Sequence, residues 1–275
     1  MKTRAIKDLC MRKDIELFEE CEQGLALCSS NAEQLHAGWQ ALSSAGHRQA
    51  AEVLRLAAEE EATKTTILLD AIRCPRSNKD GFSRQLGYFN DHLAKGIYAE
   101  YFWTKPDTFG RVRRWVNLER KELYLDGPND VDWVFPNNLL WRRENAVYVD
   151  YVESEGDHSW WAPRQVESLL EVPSRILELM VALKTAGCFS KHALSLIAQV
   201  WRSQQIDDDF EWDTMRKLNM EVLALMERDS AIVVLTPQSL HLIVEDWLFP
   251  LYPLDLRKER VKEEDLRAIQ QKWTP

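Results

Sequence analysis

Residues 48–73 read RQAAEVLRLAAEEEATKTTILLDAIR. The stretch is rich in Ala, the best helix former, and holds neither Gly nor Pro. Val53, Leu54, Leu56, Ile67 and Leu68 give it an apolar side, so it predicts one long helix. Cys74-Pro75 stops it, because proline cannot continue a helix and restrains the residue before it. Inside it stands the box Glu59-Glu60-Glu61-Ala-Thr-Lys64. Glu60 and Lys64 are four residues apart, Glu61 and Lys64 three, so either pair can meet on one face. The plain reading of such a box is a solvated, salt-bridged surface.

Upstream, residues 4–28 predict a helix with Ile6, Leu9, Ile15, Leu17 and Phe18 among charges. Ser29 and Ser30 are suitable caps for a second helix carrying Leu35, Trp39 and Leu42, which Ala45-Gly46 ends. After a polar loop at 77–81, Phe82 to Trp103 predicts a third helix on the spacing of Leu86, Phe89, Leu93, Ile97 and Tyr101. From Arg111 to Pro163 the pattern changes to prolines, aromatics and two short alternating pieces, Glu122–Asp126 and Ala146–Val152, which suit strands. Helical patterns then return over Pro163–Thr185, Lys191–Ser203, Trp212–Glu227 and Pro237–Phe249, with a charged tail at Arg257–Trp273. The expected fold is mainly α. A helical bundle at 1–110 precedes a small, irregular, aromatic-rich β insertion at 111–162. A further helical part at 163–275 packs on the bundle.

The 275 residues are 45% hydrophobic and 29% charged, as in a globular protein, and Gly and Pro are too few for a fibrous or low-complexity chain. The net charge of -9 argues against a broad basic face for duplex nucleic acid. Eleven Trp imply large buried aromatic surfaces or an interface. The cysteines, Cys10, Cys21, Cys28, Cys74 and Cys188, are odd in number and show no Cys-x-x-Cys spacing, which points to reduced thiols rather than disulfides or zinc. The N-terminus has no apolar run and no stretch approaches the ~20 residues a spanning helix needs, so a cytoplasmic protein without membrane contact is expected.

The chemistry-bearing candidates sit in the long helix at 48–73 and in the third helix. His92 and Lys95 share a face beside Asn90 and Asp91. Lys95 would lower the His92 pKa by like-charge repulsion, and a carboxylate from the long helix would raise it. A His with a Lys and a Glu suits RNA cleavage. One group must deprotonate the 2′-hydroxyl, another must protonate the leaving oxygen, and a cation must steady the charge at phosphorus. Glu60, Glu61, Lys64, His92 and Lys95 are therefore the catalytic candidates; the plain alternative is a histidine hydrogen-bonded inside a bundle. Arg111, Arg113 and Arg114, with Trp115 among them, are the candidate contacts for RNA or a partner. Asp207–Asp209 with Glu211 suit a helix cap more than a cation site. No phosphate loop, Gly-x-Ser-x-Gly elbow or His-Glu-x-x-His pair is present, so no cofactor or metal is expected.

Taken in order, Ala41-Leu42, Ala50-Ala51, the Glu60–Lys64 box, His92-x-x-Lys95, Arg142-Arg143-Glu-Asn-Ala-Val-Tyr148-Val149-Asp150 and Trp161-Ala-Pro163 resemble the AbiV family of bacterial abortive-infection proteins, over about residues 25–185. That family resembles a branch of the HEPN helical-bundle superfamily. The resemblance implies a cytosolic antiphage effector that arrests growth of infected cells by cutting RNA or shutting down translation. It also implies that the Glu–Lys and His–Lys boxes face each other. Many HEPN proteins are metal-independent, dimeric ribonucleases with an Arg, four to six residues and a His. Here Arg84 precedes His92 by eight positions, and none of the histidines has the standard offset. The expected partners are a second copy of the chain, RNA or the ribosome, and a phage activator protein. A non-enzymatic effector that binds a phage or ribosomal protein through its aromatics is the competing reading, and a bundle whose polar boxes only fix helix register is a third. The helices holding the two boxes are expected to pack antiparallel.

Overall fold

The computed structural model describes residues 4–127, 134–154, 157–163 and 174–273. The chain is mainly α, with two small antiparallel sheets. After a 3₁₀ turn at Ile6–Met11, α1 (Asp14–Ser44) runs unbroken through Ser29-Ser30. Those serines do not cap a second helix. Ser29 is buried, and its hydroxyl donates to the Ala26 carbonyl at 3.1 Å, which satisfies it inside the helix. Gly46, at φ +81°, makes the turn back into α2 (Arg48–Arg73). This helix has the predicted bounds. Its second half is buried almost all round, and Thr63, Thr65 and Thr66 satisfy their hydroxyls on carbonyls three residues back.

The predicted helix Phe82–Trp103 is broken into α3 (Lys79–Gly87), a 3₁₀ turn at Tyr88–Asn90, α4 (His92–Glu100) and a second 3₁₀ turn at Tyr101–Trp103. Asp91 makes the break. Its backbone is extended, and its carboxylate accepts from the Ala94 N–H at 3.0 Å, so it ends one segment and caps the next. The break reverses the chain. Gln85 meets Ile67 and Phe89 meets Lys64, so α3 and the turn run against α2. Beyond Asp91, His92 and Lys95 meet Glu60, and Tyr98 meets Asp70. Partner numbers now rise together, so α4 follows the sense of α2. The expected antiparallel packing of the two box-bearing helices is therefore corrected to a same-sense one.

The insertion is more helical than its sequence suggests. It contains α5 (Phe109–Glu119), β1 (Leu123–Leu125), β2 (Val134–Pro136), α6 (Asn138–Val147), β3 (Asp150–Ser154) and β4 (Asp157–Trp161). Leu123 pairs with Pro136 and Tyr151 with Trp160 in the two sheets. The first expected strand, Glu122–Asp126, stands as β1. The second, Ala146–Val152, is corrected, because Ala146 and Val147 close α6 and the strand starts only at Asp150. Asn137 anchors α6. Its Oδ1 accepts from the Leu139 and Leu140 N–H groups, and its Nδ2 donates to the Glu119 and Lys121 carbonyls.

Then follow α7 (Arg175–Ala186), α8 (Lys191–Trp201), α9 (Trp212–Arg228), α10 (Pro237–His241), a π-helical turn at Leu242–Asp246, and α11 (Glu263–Trp273). The predicted start of a helix at Pro163 falls at the edge of residues outside those described. The predicted helix Pro237–Phe249 stops early, and Trp247 turns out of it. Of these, α7, α8, α9 and the π-helical turn share one apolar core with α1, α2 and α4. At its centre Arg73, the last residue of α2, is fully buried between the rings of Trp201 and Trp247, 4.1 and 3.8 Å from its guanidinium carbon. It donates to the Leu248 carbonyl at 2.8 Å and to Asn219 at 3.1 Å, and it faces the Asp70 carboxylate at 3.3 Å. Asp70 also accepts from the Tyr98 hydroxyl at 2.6 Å and the Leu251 N–H at 2.9 Å. The end of α2 is thus tied to α4, α8, α9 and the Trp247–Leu251 strap. Burial lowers the Arg73 pKa to about 10, with Asp70 pulling it back up.

A candidate acid–base site on α2, α4 and α6

Successive helix residues are turned by about 100°, so Glu59, Glu60 and Glu61 cannot share a partner. Glu59 takes Arg55 Nη1 at 2.6 Å and the Ser174 hydroxyl beside α7. Glu61 pairs with Lys64, whose ammonium also lies 5.0 Å from the centre of the Phe89 ring. Glu60 points across to α4 and α6. Its carboxylate meets His92 Nδ1 at 3.0 and 3.1 Å, Lys95 Nζ at 2.5 Å and Arg143 Nε at 3.0 Å.

The local sequence explains the convergence. The Asp91 cap sets His92 at the first position of α4, and Lys95 follows one turn later on the same face. Gly96 lets α6 come close, since a Cβ there would stand 3.3 Å from Leu139 Cβ. The Asn137 anchor then fixes α6 so that Arg142 reaches Glu100 at 2.7 Å and Arg143 reaches Glu60. Lys95 is the buried member, its side chain 6% exposed, while His92 is 45% exposed and Arg143 43%.

Burial pushes the Glu60 carboxyl up. Hydrogen bonding and charge from Lys95, with help from His92, overcome that and leave it below its usual range. Glu60 is therefore ionised at neutral pH, and an ionised carboxylate only accepts hydrogen bonds. Its contact makes His92 Nδ1 the protonated nitrogen of the neutral ring, which leaves Nε2 as a base with no protein partner among the described residues. Glu59 contrasts with Glu60, because burial raises its carboxyl despite Arg55. The arrangement provides an oriented imidazole, its orienting carboxylate and two cations.

Of the predicted catalytic residues, the structure brings Glu60, His92 and Lys95 into contact. Glu61 and Lys64 pair with each other instead, and no hydrogen bond or ion pair joins them to His92 or Lys95 among the described residues. Arg143 is a member of the cluster that the sequence pattern does not single out, although it lies in the quoted Arg142–Asp150 segment. The expected partner-contact cluster is dispersed. Arg111 pairs with Asp107, Arg113 with Asp208, and Trp115 stacks on Tyr101 at 5.9 Å; of these four residues Arg114 alone is exposed with no ion pair among the described residues. Asp208 thus serves Arg113, and it is Glu211 that occupies the position before α9. Among the described residues no group of His, Cys, Asp and Glu could hold a metal ion. The cysteines are free and all but Cys10 are buried; burial pushes the Cys21, Cys74 and Cys188 thiols up to about 12. No described helix is long and apolar enough to cross a membrane.

The broken third helix returns to set a polar cluster against α2 within a mainly α fold. The AbiV family profile matches residues 20–171, more than half of the chain, and agrees with that fold. The chain belongs to the AbiV family, and membership associates it with abortive-infection, antiphage defence. Neither a curated relative nor a solved structure matches it.

Proposed function

We propose that this protein arrests growth of infected cells by metal-independent RNA cleavage at the Glu60–His92 site. The observation that carries this reading is a half-exposed imidazole held at 3.0 Å by an ionised carboxylate while its other nitrogen has no partner among the described residues. His92 Nε2 takes the proton of a 2′-hydroxyl. The freed 2′-oxygen attacks phosphorus, and the 5′-oxygen leaves and is protonated. The products are a 2′,3′-cyclic phosphate and a 5′-hydroxyl end. One imidazole cannot serve as base and acid in the same step, so a second copy's His92 in a homodimer supplies the other proton transfer. Expression of wild type and His92→Ala in cells, with growth and RNA integrity followed, tests this. Wild type should be toxic with fragmented RNA, and folded His92→Ala should be neither.

One observation favours a second reading, a non-enzymatic effector that binds a phage or ribosomal protein. The insertion leaves Trp141, Tyr148, Tyr151 and Trp160 exposed, Trp160 at 74%. On that reading folded His92→Ala stays toxic with intact RNA, and Trp160→Ala loses toxicity. Trp133, another aromatic of this stretch, lies outside the described residues.

A further inference from the structure

We infer that Arg143, on α6, is the residue of this site that grips a phosphodiester oxygen, and that Lys95 is a positioning residue that never touches the substrate. The inference rests on the RNA-cleavage reading for its substrate class, but its own support is the way the cluster's donors are divided. Lys95 is almost wholly buried, and its ammonium is spent on Glu60 Oε2. Lys64 is spent on Glu61, and Arg142 on Glu100. Arg143 gives Glu60 only its Nε, at 3.0 Å from Oε1. Its two Nη groups have no protein partner among the described residues, and nearly half of the side chain is open to solvent. A guanidinium presents two hydrogen-bonding edges, and the free Nη1–Nη2 edge matches the paired oxygens of a phosphate. Arg143 and His92 also share one acceptor, Glu60 Oε1, which gathers the guanidinium and the imidazole at a single carboxylate oxygen. A phosphate on that edge would bring the adjoining 2′-hydroxyl toward the base. Arg143 lies 51 positions downstream of His92, so only the fold brings both to one carboxylate.

The division of roles separates in a binding experiment that needs no turnover. A fluorescent 2′-O-methyl RNA, which has no nucleophilic hydroxyl, is titrated with the full chain over a series of salt concentrations. Each phosphate contact to a single strand adds about 0.7 to the slope of log affinity against log salt. Arg143→Gln should weaken binding roughly tenfold and lower the slope by about that amount. Lys95→Met should leave the slope unchanged, while cutting kcat on cleavable RNA more than it alters KM. Arg143→Lys, which keeps the charge but loses the planar edge, should keep the slope at reduced affinity, guarding against a packing artefact of the glutamine. An Arg143→Gln protein with wild-type affinity and slope overturns the inference, as does a wild type that does not bind the probe, or a Lys95→Met slope that falls as far. Binding through Arg143 with no cleavage of ordinary RNA would sink the nuclease reading and leave the phosphate contact standing.

Discussion

Glu60 is the residue on which the polar cluster turns, since three side chains from two other helices end on its carboxylate. Its carboxyl lies below the ordinary value of 4.5, so folding favours the ionised form. The native state then binds fewer protons than the unfolded one around and below that pH. The stabilisation is present above 4.5 and is lost as pH falls through the depressed native value. The stability gap between wild type and Glu60→Gln, read from urea unfolding, should therefore be largest near neutrality and shrink progressively below pH 4.5. A gap that stayed constant down to full acid unfolding would show that the carboxylate contacts add nothing. Lys95→Met should cost about 2 kcal/mol at neutral pH, the scale of a hydrogen bond to a charged group, because it removes the buried partner and leaves His92 and Arg143 in place. Equal urea midpoints for the two proteins would contradict this. Much of this cluster is legible in the sequence. Glu60, His92 and Lys95 are named by residue type and helical spacing. Arg143 is not, because it reaches Glu60 across 83 positions, and long-range contacts leave no local periodicity.

The elements show why the rest stayed hidden. Helices α1 and α2 differ in how they are read: α2 has its predicted bounds, whereas Ser29-Ser30 suggests a break that α1 does not make. A serine in a helix can return its hydroxyl to its own backbone, so a capping residue type is not a cap until the backbone leaves the helix. The opposite error falls at Asp91. There apolar spacing runs straight through a true break, and the overlooked signal is the pair Asn90-Asp91 just before His92. Helices α5 and α6 were masked by aromatics and nearby prolines, although Asn137-Asn138 ahead of Leu139 is a usable start signal. Helix α6 has no fully buried residue; Leu139 and Leu140 pack on the core from its side, and its anchor and arginine ties fix it there. Asn137→Ala should cost about 1–2 kcal/mol as a lost cap. It should also raise amide exchange across 139–147 while α2 stays protected. Unchanged exchange there would mean that α6 is held by something other than Asn137.

Across the molecule, Arg73 joins the end of α2 to the C-terminal helices. Replacing it by Ala would leave the Asp70 carboxylate buried without its cation and open a gap between two indoles. That change should cost about 3–5 kcal/mol, the scale of a broken buried ion pair. Thermal unfolding followed by circular dichroism checks this; a melting temperature equal to wild type would contradict it. A cluster so exposed at His92 and Arg143 also leaves room for a symmetric partner. A homodimer burying at least ~1,000 Å² is the assembly that the two-histidine mechanism requires. Sedimentation at micromolar concentration should find a dimer, and a monomer that still cleaves RNA would remove the composite site from the mechanism. His92, held by Glu60, is proposed to perform acid–base chemistry on RNA. The most direct test is cleavage of a defined RNA by purified wild type and His92→Ala in the presence of chelator. Wild type should cut it to 2′,3′-cyclic phosphate and 5′-hydroxyl ends, and His92→Ala, with an unchanged melting temperature, should be slower by ~10²–10⁴-fold. RNA left intact by wild type, or cut equally well by folded His92→Ala, would contradict the account.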